Sequence, residues 1–99
     1  MAKISVEILP WLSQTVLPGH SGRLLLEVEI QGSRIRDLLE ALAASYPSFA
    51  ARVYDTQRCD TTDLVEIAVN GRMLGYSDTL DTPIEEGDTV MLLPAYGGG

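Results

Sequence analysis

Residues 85–99 read EEGDTVMLLPAYGGG, and the fold turns on how this stretch is read. Gly87 and Asp88 form a turn dipeptide. In residues 89–93, Val90 and Leu92 point to one side of an extended chain and Met91 and Leu93 to the other. A strand that is apolar on both sides belongs in the middle of a sheet. Pro94 has no amide hydrogen to donate and ends the ladder. Ala95, Tyr96, Gly97, Gly98 and Gly99 follow as a thread almost without side chains. The expected organisation is one domain over residues 1–94 and a flexible tail over residues 95–99.

Upstream of this strand, residues 63–74 read DLVEIAVNGRML. Val65, Ile67 and Val69 alternate with Glu66 and Ala68, and Asn70-Gly71 supplies the two positive-φ positions of a tight hairpin. A short strand is expected over residues 72–74. Nearer the start, Ile4, Val6 and Ile8 alternate with Ser5 and Glu7, while Leu26, Val28 and Ile30 alternate with Glu27 and Glu29. These two strands are expected to pair antiparallel. Residues 10–22, PWLSQTVLPGHSG, have prolines and glycines near both ends and read as a long turn. Between the strand pairs the period changes to that of a helix. Ile35, Leu38, Leu39, Leu42 and Tyr46 share a face, with Ser33 placed as the cap and Pro47 as the stop. Residues 47–55 offer a further short helical turn. The order strand, strand, helix, strand, short strand, central strand is an α+β layout of four to five strands with one main helix on one face. If the last strand lies beside the first, the sheet is mixed.

Composition narrows the function. The chain has 99 residues, enough for one domain with a modest core. Its net charge is −7, from 14 acids and 7 bases, which argues against nucleic acid and favours a basic protein partner. No apolar run is long enough to cross a bilayer and no secretory leader opens the sequence, so a cytoplasmic location without a membrane is expected. The single cysteine, Cys59, has no histidine near it in sequence and reads as an incidental thiol in a loop. His20 is the lone histidine and reads as a solvated surface residue. No spacing of His, Cys and acids suggests a metal site, and no glycine-rich loop leads into a helix to cradle phosphate. An enzyme with its own catalytic residues is not expected.

The tail is left. Composition keeps three readings of the glycines open: a leftover of processing, a disordered end, or a working carboxylate. A thread without side chains can enter a narrow site and expose its terminal carbonyl. For Met91, Leu93 and Leu74 core packing is the first reading, and an apolar docking patch on the sheet face away from the helix is the alternative.

At this point the sequence resembles the ThiS/MoaD family of sulfur carriers, which are ubiquitin-like β-grasp proteins. The resemblance rests on the Gly87-Asp88 turn, the apolar strand, Pro94 and a diglycine at Gly98-Gly99. It is supported by the first strand, the SRIRDLLEALAASYP helix and the VEIAVNGRML hairpin. It implies that a ubiquitin-activating-type adenylating enzyme uses ATP to activate the carboxylate of Gly99, with no cofactor bound to the carrier itself. The carboxylate would then become a thiocarboxylate. Gly98 would give access to it, while Pro94, Ala95, Tyr96 and Gly97 would line the channel of a sulfur-accepting synthase. The molybdopterin branch, whose partner is the large subunit of molybdopterin synthase, is the leading expectation. Carriers for cysteine, thiamine or thiolated tRNA synthesis are its siblings. Tyr96 and the long Trp11-bearing segment depart from the compact molybdopterin type. A ubiquitin-like modifier joined to target lysines is the competing class, and a plain interaction domain is a third. With Lys3 as the sole lysine, a chain-forming modifier is disfavoured.

Overall fold

The computed structural model describes residues 2–20, 22–58, 60–62, 65–74 and 79–94. Seven strands, three α-helices and one 3-10 turn appear in the order β1 (Ala2–Ile8), α1 (Pro10–Val16), β2 (Leu24–Ile30), α2 (Ile35–Ser45), α3 (Pro47–Val53), β3 (Tyr54–Asp55), β4 (Asp60–Thr61), β5 (Val65–Val69), β6 (Arg72–Met73), the 3-10 turn (Thr79–Asp81) and β7 (Thr89–Pro94). The main sheet has five strands in the order β2-β1-β7-β5-β6, so β7 is central. It pairs parallel with β1 and antiparallel with β5, and the sheet is mixed. β3 and β4 form a separate two-stranded ribbon.

Alternation explains the two layers. Ile4, Val6 and Ile8 of β1, Ile67 of β5, and Val90 and Leu92 of β7 all face inward and are buried. Against them pack Ile35, Leu38, Leu39 and Leu42 of α2, with Phe49 and Val53 of α3. Tyr46 closes α2 and opens α3, so Pro47 both stops one helix and starts the next.

Three expectations are corrected. Residues 10–16 are a helix, not part of a long turn, and Leu12 and Val16 bury its inner face. Pro10 fits the first helical position, where an amide hydrogen is not needed. Ser13 of this helix is wholly buried, its Oγ 3.3 Å from the carbonyls of both Pro10 and His20, which closes the segment on itself. Second, the start of α2 is capped from within. The N-cap is Arg34, and the Asp37 carboxylate accepts the amide hydrogens of Ser33 and Arg34 at 3.0 Å each. A side chain at Gly32 would collide with that carboxylate. Third, the layer on the sheet consists of three helices among the described residues; α2 is the longest at 11 residues, with α1 and α3 at 7 each. The β1–β2 pair, the β5–β6 hairpin and the central β7 all stand as expected. Cys59 lies outside the described residues.

Candidate functional site

The base of β7 is tied down from three sides. Asp88 Oδ2 accepts the Glu85 amide hydrogen at 2.8 Å, and Asp88 Oδ1 accepts from the Asn70 side-chain amide at 3.0 Å. Asn70 Oδ1 in turn accepts from the Thr89 amide at 2.9 Å, and the Asn70 amide donates to the Thr89 carbonyl at 2.8 Å. On the β1 side, Ser5 N–H donates to the Asp88 carbonyl at 3.0 Å, Gly87 N–H to Lys3 O at 3.1 Å, and Lys3 N–H to the Glu86 carboxylate at 2.7 Å. The Gly-Asp turn thus joins β1 and the β5–β6 turn to the strand that leads to the tail.

The far end of β7 is held differently. Its parallel pairing with β1 stops at Ile8↔Leu92, because β1 gives way to α1. Its antiparallel pairing with β5 runs on through Glu66↔Leu93 to Val65↔Pro94. The indole N–H of Trp11, in α1, donates to the Leu92 carbonyl at 3.3 Å. Pro94 is the last described residue of the chain. Ala95, Tyr96, Gly97, Gly98 and Gly99, the expected reactive tail, lie outside the described residues.

The outward face of the sheet carries a row that crosses all five strands in register: Leu25 on β2, Glu7 on β1, Met91 on β7, Ala68 on β5 and Met73 on β6. Leu93 stands one step further along, opposite Glu66. Met91 and Leu93 are half-buried, while Leu25 and Met73 are 64% and 50% exposed. Leu74 does not join them. It packs against the core, with its amide donating to Ile67 O at 2.9 Å, so the core reading holds for it. Met73 takes the outward place instead. Neither Met73 nor Leu25 stood out in the sequence, although two-residue alternation counted from Glu27 points to Leu25.

Charge frames this face. By register Glu7, Glu27, Glu29 and Glu66 share it, with Lys3 opposite Glu29 and Arg23 within 3.5 Å of Glu7. On the helix layer, Asp81 lies between Arg34 and Arg36 at 3.6 and 3.7 Å, which offsets the cost of two cations at a helix start. Desolvation pulls the Arg36 guanidinium down, but a hydrogen bond with Tyr54 and the Asp81 and Glu40 carboxylates outweigh it and hold Arg36 above its ordinary range.

Among the described residues no three His, Cys, Asp or Glu side chains group to hold a metal ion. A groove of about 510 Å³ lies on the helix layer beside Ala43, Ala50, Tyr54 and Asp55. One oxygen of Asp55 there already accepts the amides of Gln57 and Arg58, at 2.9 and 3.2 Å. No described helix is long and apolar enough to cross a membrane.

Comparison with known proteins follows the same outline. The ThiS family model matches residues 20–99. The sulfur carrier protein CysO of Mycobacterium tuberculosis is 31% identical over 86 residues, covering 86% of this chain and 91% of CysO. The crystal structure of that CysO superposes with a TM-score of 0.69 at 27% identity, covering 93% of this chain and 98% of that one. SAMP1 from Haloferax volcanii has a TM-score of 0.73 at 21% identity over 99% of this chain and all of its own. A putative molybdopterin converting factor subunit 1 from Pyrococcus furiosus gives 0.64 at 27% identity over 95% of this chain and 98% of its own. The five-stranded mixed sheet with its helical layer is the fold these proteins share, and the chain belongs to the ThiS family, with the ubiquitin-like β-grasp of ThiS/MoaD-type sulfur carriers.

Proposed function

We propose that this protein is a sulfur carrier whose working group is the carboxylate of Gly99. The observation that carries the reading is the family match, which extends through Gly99 and sits beside a 31% identical sulfur carrier. The anchored β7 strand supports it: a segment that must enter a partner's active site needs a rigid root. In the proposed cycle an adenylating enzyme joins the carboxylate to the AMP moiety of ATP and releases pyrophosphate. A sulfur donor then displaces AMP, leaving a thiocarboxylate. A synthase takes up the segment from Pro94 through Ala95, Tyr96, Gly97 and Gly98 to Gly99, transfers the sulfur and regenerates the carboxylate. The carrier supplies no general acid or base, and ATP is bound by the activating enzyme.

The CysO relative favours sulfur delivery for cysteine synthesis over the molybdopterin branch expected from sequence. Delivery to a molybdopterin synthase is the second reading, favoured by the likeness to the Pyrococcus furiosus protein. The outward patch of Met91 and Leu93, extended by Met73 and Leu25, is the proposed docking surface, and its acidic frame calls for basic groups on the partner.

The test is an intact-mass measurement after incubation with the activating enzyme, ATP and a sulfur donor. A gain equal to one sulfur less one oxygen is expected in the wild type and none after deletion of Gly99, with no change in thermal unfolding. An unmodified wild type sinks the carrier reading, and a Gly99 deletion that still loads sulfur sinks the assignment of Gly99. Formation of cysteine, as against thiolation of a pterin precursor, separates the two branches.

A further inference from the structure

Trp11 is the only tryptophan and, on the reading above, has no assigned part. It follows the end of β1 as the second residue of α1, with its ring half-buried against the core. In a parallel ladder the hydrogen bonds to one neighbour fall on every second residue. Ser5 N–H meets the Asp88 carbonyl, so the carbonyls of β7 that face β1 belong to Asp88, Val90 and Leu92. By the same alternation the nitrogens that face β1 are those of Val90, Leu92 and Pro94. The pairing stops at Ile8↔Leu92. At that point the Trp11 indole, three residues past the end of β1, donates to the Leu92 carbonyl at 3.3 Å. The next nitrogen along is Pro94, which has no hydrogen to donate. The edge of β7 that β1 leaves behind is therefore occupied once by an indole and once by a proline.

We propose that Trp11 is a positioning residue for the carboxyl segment: its indole ties α1 to Leu92, the last residue of β7 paired with β1, and fixes the direction in which the chain leaves β7 at Pro94. Among the described strands, β5 pairs with Leu93 and Pro94 and β1 does not. Trp11 holds Leu92 at the other edge of β7, so the root of the segment is tied to α1 as well as to β5. This role rests on the sulfur-carrier reading for its consequence, because a fixed root aligns Gly99 with the activating enzyme's adenylating site. Alignment of the reacting group acts on turnover, whereas docking through the outward sheet face acts on affinity.

Two measurements test it. In the free protein, backbone relaxation by NMR at Leu92 and Leu93 is compared among wild type, Trp11→Phe, and chains with benzothienylalanine or 5-fluorotryptophan at position 11. Benzothienylalanine keeps the bicyclic ring but lacks the N–H; 5-fluorotryptophan keeps both. Larger fast motion at Leu93 is expected in the two forms without the N–H and wild-type behaviour in the fluorinated form. Equal motion in all four overturns the proposal. In ATP–pyrophosphate exchange with the activating enzyme, the forms without the N–H are expected to lose about tenfold in kcat, with KM changed less than about twofold. Unchanged kcat, or a loss that 5-fluorotryptophan does not restore, also overturns it. If the wild type is not adenylated at all, the carrier reading fails, and the relaxation data alone decide whether Trp11 holds the root of the segment.

Discussion

Asp88 and Asn70 carry more of the structure than their exposure suggests. One carboxylate takes an amide hydrogen from its own turn and another from a side chain 18 residues away. Removing it by Asp88→Ala leaves the Glu85 amide and the Asn70 side chain without that partner. The expected loss is about 1–3 kcal/mol, read from urea unfolding. A loss under about 0.5 kcal/mol would mean that water replaces both bonds. The Asn-Gly turn is a backbone matter instead. Asn70 has φ 51° and Gly71 φ 83°, and a side chain added at Gly71 meets no neighbour. Gly71→Ala is therefore expected to cost about 1 kcal/mol through conformation alone, in the same unfolding assay. The turn was legible in the sequence because Asn-Gly acts locally. The hub at Asp88 was not, because its second partner comes from another hairpin.

At the scale of elements, α1 is the instructive case. The prolines and glycines of residues 10–22 read as loop punctuation, yet Pro10 starts a helix and Leu12 and Val16 lock it into the core. The cue was present as the four-residue spacing of Leu12 and Val16, but seven residues are too few for periodicity to outweigh the flanking breakers. Tertiary burial decided it. Leu12 is fully buried, so Leu12→Ala is expected to cost about 2–5 kcal/mol, measured by thermal or chemical unfolding. A cost near zero would return the segment to a loosely held loop. The helix α2 was read with its apolar face correct, since five apolar positions on one face leave little choice. Its cap was read one residue early, because the capping group is Asp37 reaching backward rather than Ser33 reaching forward.

For the molecule as a whole, the two faces of one sheet divide the labour. The inward face holds the helices, and the outward face shows Met91, Leu93, Met73 and Leu25 within an acidic frame. Because Met91 is half-buried on the side away from the core cluster, Met91→Glu is expected to leave unfolding within a few degrees of wild type. Binding to the activating enzyme, followed by calorimetry, is expected to weaken at least tenfold, as for a central apolar contact in an interface. Added salt should weaken wild-type binding as well, since an acidic frame meets basic groups through screened charges. Binding that ignores both changes would place the partner on another face.

The sequence by itself determined the strands of the two pairs, the Asn-Gly hairpin, the main helix and the doubly apolar last strand, and with them the α+β layout and the central place of β7. Each is set by neighbours within a few residues or by a period that one segment displays alone. Tertiary structure decided the rest. It made a helix of residues 10–16, sent Leu74 inward and Met73 outward, gave Asp88 its distant partner, and set the Trp11 indole against the Leu92 carbonyl 81 residues away. These depend on register and on which elements meet, and a hydrogen bond between groups so far apart in the chain has no local pattern to announce it.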